Sequence, residues 1–314
     1  MPNNHKKLKT TSTVFIFLGL FLMGLSFGFN SYFLQRTIQQ KSAEPLTVLE
    51  PKKIDSDKPQ GDKTDYLNRE FSVSSAFTSK SYLIYDKNSS QILYGKDIDT
   101  QLPNASTTKL MTAYLAFNTY SLDTVLAVPA ECVTLEGSNV GFKAGERFYV
   151  EDLFYGLMLR SGSDAACVLA ANFPGGRQEF IKEMNNQATD IKLKNTFYKN
   201  EIGLDEPGHF SSSKDLLILI KKVLEIEKLK IIMGTRSYVL RSLDGQNYAI
   251  NNTNSLLFDL PGTVGYKTGY TSNAGECLVF GYENLGNKLI VIVMGSNDRF
   301  ADVKELLNGY LQTL

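Results

Sequence analysis

The chain has no tryptophan, and only two of its 314 residues are histidine, His5 and His209. Two imidazoles cannot assemble a zinc-type cluster, so neither a metal nor a cofactor is expected. Excess charge of either sign is also missing, because 33 lysines and arginines balance 33 aspartates and glutamates. That balance offers no electrostatic case for nucleic acid or another polyanion as partner. Cysteine is sparse and odd in number: Cys132, Cys167 and Cys277. Exported disulfide frameworks usually show even, densely spaced sets, so buried, unpaired thiols are the expectation.

Against these absences, the N-terminus is informative. His5-Lys6-Lys7-Leu8-Lys9 leads into residues 14–34, an uncharged and mostly apolar run. Its length, about twenty residues, matches a helix that crosses a bilayer. Lysines before the run and Arg36 just after it predict a cytoplasmic tail (1–12), a transmembrane signal-anchor (13–34) and an extracytoplasmic remainder at the cell membrane. The competing reading is a cleaved signal peptide, which calls for a shorter apolar core and a small-x-small cleavage site. Residues 35–70 are polar, carry Pro45, Pro51 and Pro59, and read as a flexible linker. A globular pattern then runs from 71 to 314 without a second break in composition, giving one domain of catalytic size.

That domain opens with a hairpin signal, strands over 81–85 and 91–94 around Asp86-Lys87-Asn88-Ser89. Its middle, 106–230, is mostly helical, with helices over 151–160, from 164 onward and over 215–229. Strands return at 238–241, 249–251, 262–267, 277–282 and 289–294. An amphipathic helix over 301–312 closes the chain. Strands at both ends enclosing helices predict an α+β fold: an antiparallel sheet flanked by helices, with a helical subdomain.

Three segments carry the chemistry. In Ser106-Thr107-Thr108-Lys109 a serine and a lysine three apart share one helix face. The helix N-terminus favours an oxyanion there, and Lys109 can serve as base if burial or a second cation lowers its pKa. The pattern also arises by chance, since Ser211-Ser212-Ser213-Lys214 repeats it, and there the hydroxyls read as a helix cap before Asp215. Ser161-Gly162-Ser163-Asp164 reads as a capped helix–helix turn or as a proton relay through Ser161. Lys267-Thr268-Gly269 sits in a strand whose glycine suits the close approach of another backbone, such as an extended peptide beside the sheet edge. Lys267 is the obvious candidate for a second cation.

Roughly fifty residues separate the first two segments and roughly one hundred the second and third. With that order, residues 71–314 resemble the D-alanyl-D-alanine carboxypeptidases among the low-molecular-mass penicillin-binding proteins, of the peptidase S11 kind. Residues 103–113 (PNASTTKLMTA), 152–166 (DLFYGLMLRSGSDAA), Met184-Asn185, 200–204, 209–216, 252–256 and 262–278 carry the resemblance. It implies a β-lactamase/transpeptidase-like fold and a stem peptide ending in D-Ala-D-Ala as substrate, with β-lactams as covalent inhibitors. It makes Ser106 the acylated nucleophile, Lys109 its base and Ser161 the proton relay. Lys267, Thr268 and Gly269 become the carboxylate-binding strand, Ser106 and Tyr270 the oxyanion donors, and Arg299 a cation near the carboxylate.

The sequence departs from that pattern at Ser163, where the family usually places asparagine, so substrate-amide contact is expected to be weaker or water-mediated. The chain also ends just past its closing helix, so the β-rich second domain of many relatives is expected to be missing. The alternatives are a transpeptidase or endopeptidase, a β-lactamase, or a non-catalytic β-lactam sensor. The β-lactamase reading is weakened because no Glu-x-x-x-Asn lies between Ser106 and Lys267.

Overall fold

In the computed structural model the described residues are 73–313. The tail, anchor and linker expected over 1–70 lie outside them. Among the described residues no helix is long and apolar enough to cross a membrane.

The first strand, β1 (Ser81–Asp86), shows how the sheet is built. Side chains alternate across a strand, so Tyr82 and Ile84 enter one apolar core while Leu83 and Tyr85 enter another. β1 turns into β2 (Gln91–Lys96) as expected, with the Asp86 carboxylate accepting from the backbone of Asn88 and Ser89 at the turn. The chain then passes through the helical region. It contains α1 (Lys109–Thr119), a small ribbon of β3 (Val125–Ala127) and β4 (Arg147–Tyr149), α2 (Val150–Leu159), α3 (Ser163–Ala171) and α4 (Gly176–Asp190). α5 (Ser213–Leu224), α6 (Glu227–Gly234), the ribbon of β5 (Ser237–Arg241) and β6 (Asn247–Asn251), and the single turn α7 (Leu256–Asp259) complete it.

The chain returns to the sheet through β7 (Thr263–Thr271), β8 (Gly275–Asn284) and β9 (Asn287–Ser296) and ends in α8 (Arg299–Leu311). The order β2-β1-β9-β8-β7 is antiparallel throughout and leaves β7 as an edge. β8 and β9 alternate as β1 does. Leu278, Phe280, Val291 and Val293 meet Val303, Leu306 and Leu307 of α8, whereas Cys277, Val279, Ile290 and Ile292 face the helical side. Both faces of the sheet are thus covered, and each fully buried aliphatic side chain contributes roughly 1.5–3 kcal/mol of transfer free energy. The two-residue turn between β8 and β9 has Leu285 and Gly286 both left-handed, the hairpin geometry that suits a twisted sheet. This is the expected α+β architecture of an antiparallel sheet flanked by helices.

Two expectations need correction. The helix read over 215–229 is two helices, because Ile226 takes an extended backbone between α5 and α6. The break re-aims the chain so that Leu229, Ile232 and Met233 all reach the core, a requirement that helical periodicity alone does not reveal. Cys132 and Cys167 are not unpaired thiols. They form a disulfide, their Cα atoms 5.4 Å apart, between the 3-10 turn Ala130–Val133 and the middle of α3. The odd count is accounted for by Cys277, which stays free and buried on β8 as expected. Pairing depends on where the fold brings Cα atoms together, and sequence spacing is silent on that.

Candidate active site

Residues 104–108 form a tight turn that delivers Ser106 to the start of α1. Ala105, just before the serine, has a left-handed φ of 46°, and a 3-10 turn over Ala105–Thr108 leads into the helix at Lys109. The turn is held from beneath by the loop 200–209. His209 accepts the Lys199 backbone N–H at Nδ1, which leaves Nε2 to donate to Thr108 Oγ1 over 2.8 Å. Burial pushes this imidazole down to about 4, so it works as a neutral strut. Gly203 fits because it lacks a side chain: its φ is +82°, and a Cβ there would stand 2.0 Å from the Ala105 carbonyl oxygen.

Lys109 is 1 % exposed. Its Nζ donates to Ser106 Oγ at 3.0 Å and to the Ile202 carbonyl at 2.7 Å. Desolvation lowers its pKa to about 7, against the opposing pull of the Glu201 and Asp164 carboxylates. Near neutral pH a large share of this amine is therefore unprotonated and can take a proton from the serine it touches.

The second segment arrives at the junction of α2 and α3. Ser161 adopts a left-handed φ of 60° there, which turns its hydroxyl towards the strand. The third comes from β7, where Lys267, also 1 % exposed, donates to Ser161 Oγ and to the Thr268 carbonyl, each at 2.8 Å. Burial, then the charges of Lys109 and Arg299, hold Lys267 well below the ordinary lysine range. Thr268 shares a 2.7 Å hydrogen bond with Thr253. Gly269 lets the strand press against the nucleophile turn, since a Cβ there would lie 3.0 Å from Ser106 N and 3.1 Å from Thr107 N. Tyr270 follows, largely exposed, at the sheet edge. Of the seven described non-glycine residues with positive φ, three, Ala105, Ser161 and Tyr266, lie within or beside the three segments. Local strain of this kind persists where surrounding structure enforces a geometry.

Ser106, Lys109, Ser161, Lys267 and Gly269 are thus brought together by two hydrogen-bonded pairs and one close backbone approach. Arg299 joins them from the start of α8. Its guanidinium donates to the Gly269 carbonyl and pairs with Glu276 at 3.4 Å in a part-buried ion pair, which places it beside the strand. Ser163 stands apart. It is buried, its N–H donates to Ser138 O at 2.6 Å, its Oγ faces Gly137, and no hydrogen bond links it to the other site residues.

Sequence reasoning missed several supports. The Ile202 carbonyl orients Lys109. Glu201 is fully buried, 2.9 Å from Arg177, and its carbonyl accepts from Thr112. The buried Asp164 carboxylate gathers the N–H groups of Val140, Gly141 and Phe142, pinning the segment that covers Ser163. A backbone acceptor has no sequence signature, and a single acid in a loop carries little. Asp164 closes the second segment itself, and that place was the available signal.

Comparison with known proteins agrees with this fold. The peptidase S11 family model, described as D-alanyl-D-alanine carboxypeptidase, matches residues 69–298. The D-alanyl-D-alanine carboxypeptidase DacF of Bacillus subtilis is 32 % identical over 241 residues, covering 74 % of this chain and 62 % of that protein. The D-alanyl-D-alanine endopeptidase of Pseudomonas aeruginosa is 30 % identical over 236 residues, covering 73 % and 76 %. The chain spans about three fifths of the length of the first curated relatives it matches. The crystal structure of the Streptomyces K15 DD-transpeptidase superposes with a TM-score of 0.71 at 27 % identity, covering 76 % of this chain and all of that one. With the family model spanning most of its length, the chain belongs to the peptidase S11 family, the D-alanyl-D-alanine carboxypeptidases.

Proposed function

We propose that the protein is an exported serine-type D-Ala-D-Ala carboxypeptidase that trims the terminal D-alanine from peptidoglycan stem peptides, held at the cell membrane by residues 13–34. The observation that carries this reading is the 3.0 Å contact between Ser106 Oγ and an amine whose pKa lies near 7. Ser106 Oγ attacks the carbonyl carbon of the penultimate D-alanine and gives its proton to Lys109. The N–H groups of Ser106 and Tyr270 hold the oxyanion. Lys267 and Thr268, with Arg299 behind the strand, take the terminal carboxylate. Ser161 relays that proton from Lys109 to the departing amine as the C–N bond breaks, leaving an ester on Ser106 and a neutral Lys109. Lys109 then takes a proton from water, which attacks the ester and restores the serine. β-Lactams enter by the same attack and remain as the acyl-enzyme.

The test is covalent labelling by a fluorescent penicillin together with D-alanine release from an acetylated D-Ala-D-Ala peptide. Ser106→Ala is expected to abolish both. Labelling that survives the substitution sinks the nucleophile assignment, and labelling without D-alanine release in the unaltered protein sinks the carboxypeptidase step. The endopeptidase relative supports a second reading, in which the same acyl-enzyme forms from a cross-linked peptide. Release of monomers from cross-linked dimers reads that activity directly.

A further inference from the structure

Before β1 begins, the chain runs along α8 and is fastened to it. Ser74 Oγ donates to Glu305 at 3.0 Å, and one turn earlier on the helix Asp302 gathers a larger set of donors. Thr78 gives its N–H to both carboxylate oxygens of Asp302, at 3.2 and 3.4 Å, and its hydroxyl to Oδ2 at 3.1 Å. Ser79 Oγ and Ser296 Oγ each donate to that same oxygen at 2.6 Å. Ser79, Ser296 and Asp302 are all buried. A carboxylate taken out of water grips its donors firmly, because each hydrogen bond is charge-assisted and water is not there to replace it. None of the catalytic steps above uses these groups.

The network closes around a residue that the steps do use. Thr78 Oγ1 accepts the Asn297 N–H and Ser296 Oγ accepts the Asp298 N–H, both at 2.9 Å. Asp302 N donates in turn to the Asp298 carbonyl at 3.0 Å. Arg299, the first residue of α8, therefore lies between two fixed points, the 296–298 turn and Asp302. From the sheet, Glu276 accepts its backbone N–H at 2.9 Å and its guanidinium at 3.4 Å. An arginine side chain has many rotamers, and it meets the Gly269 carbonyl reproducibly only when its backbone is held in one place. On the reading proposed above, on which this inference rests, Arg299 helps to take the substrate's terminal carboxylate. We infer that Asp302, with Thr78 and Ser79, is a positioning device for Arg299, so that recognition of a free C-terminal carboxylate depends on the stretch by which the chain enters the domain. Asp302 acts by fixing where the guanidinium starts, and its effect passes through that one side chain.

The experiment uses the full chain and two peptides, acetyl-L-Lys-D-Ala-D-Ala and its C-terminal carboxamide. The readout is the concentration at which each protects Ser106 from acylation by a fluorescent penicillin. The unaltered protein is expected to prefer the free acid by more than about tenfold, and Arg299→Gln to cut that preference by about tenfold. Asp302→Asn, and separately Thr78→Val with Ser79→Ala, are each expected to cut it by about three- to tenfold, while Thr78→Ser keeps it. Asp302→Asn combined with Arg299→Gln is expected to lose no more than Arg299→Gln alone, because both changes act through one side chain. The quantity is a ratio within one protein, so a general loss of folded enzyme does not mimic the effect, and the Thr78 and Ser79 variants still decide if Asp302→Asn fails to fold. Equal protection by the two peptides in the unaltered protein overturns the inference. So does a preference untouched by the Asp302 and Thr78–Ser79 changes, or losses that multiply in the combined variant. D-alanine release by the unaltered protein, recorded in parallel, reports the carboxypeptidase step on its own.

Discussion

Ser106-Thr107-Thr108-Lys109 and Ser211-Ser212-Ser213-Lys214 share one pattern, a serine three residues ahead of a lysine at a helix start. Their surroundings give them opposite fates. Lys214 lies with its side chain 40 % exposed, paired to Asp99 at 3.1 Å across water-accessible surface. Ser212 accepts the Asp215 backbone N–H at 3.2 Å, a helix cap, and Ser211 bonds Thr196. Lys109 has lost its water, has a neutral hydroxyl and a carbonyl for partners, and lies close enough to Lys267 to depress that lysine further. The difference teaches that the motif supplies atoms and the packing supplies reactivity. Desolvation turns a lysine into a base, and solvent at the second copy leaves its lysine an ordinary cation.

The contrast breaks most sharply at the lysines. Lys109→Met is expected to slow penicillin acylation by about 10²–10⁴-fold, the usual worth of a general base. Lys214→Met is expected to leave the rate within about twofold, as befits an exposed ion pair. Comparable losses at the two positions, measured as second-order acylation rates, would erase the distinction. Next in size is Gly203→Ala, which places a Cβ against the Ala105 carbonyl in a left-handed backbone. It is expected to cost about 1–3 kcal/mol in denaturant unfolding and to slow acylation as the nucleophile turn shifts. A variant as stable and as fast as the parent would mean the loop does not brace Ser106.

A smaller effect tests the electrostatics. The acylation rate should rise with pH through about 7, as Lys109 loses its proton. Glu201 favours the charged amine, so Glu201→Gln is expected to move that rise to lower pH. A rise that moves upward, or stays in place, contradicts the assigned coupling. Smallest, Ser212→Ala removes the cap of the second copy and should cost about 1 kcal/mol of stability. Its acylation rate per folded molecule is expected to match the parent's, and a large catalytic loss there would give the second copy a role it has not been assigned.

Much of the fold was legible because its determinants are local. Short apolar runs over 81–85, 277–282 and 289–294 marked strands, turn chemistry marked Asp86-Lys87-Asn88-Ser89, and the hydroxyls before Asp215 marked a cap. The candidate site was legible where spacing and order carry information, in Ser106, Lys109, Ser161 and Lys267. What stayed hidden was set by distance in space. The Ile202 carbonyl reaches Lys109 from 93 positions along the chain, and Lys267 meets Ser161 across 106. The break at Ile226 hid for another reason. The apolar pattern runs straight through it, and only the shape of the core decides that two helices fit better than one.

The Cys132–Cys167 disulfide has a consequence for how the protein is made. Three thiols allow three different pairs, and one of them matches the fold. Cys167 follows Cys132 by 35 positions, whereas Cys277 comes a further 110 positions later, the difference between 277 and 167. A chain that emerges from its N-terminus therefore presents the two correct partners to each other well before the competitor appears. Refolding from a fully reduced and unfolded chain removes that head start. Production schemes that oxidise the protein after denaturation should accumulate mispaired species through Cys277, and a Cys277→Ala or Cys277→Ser variant should be the simpler protein to refold.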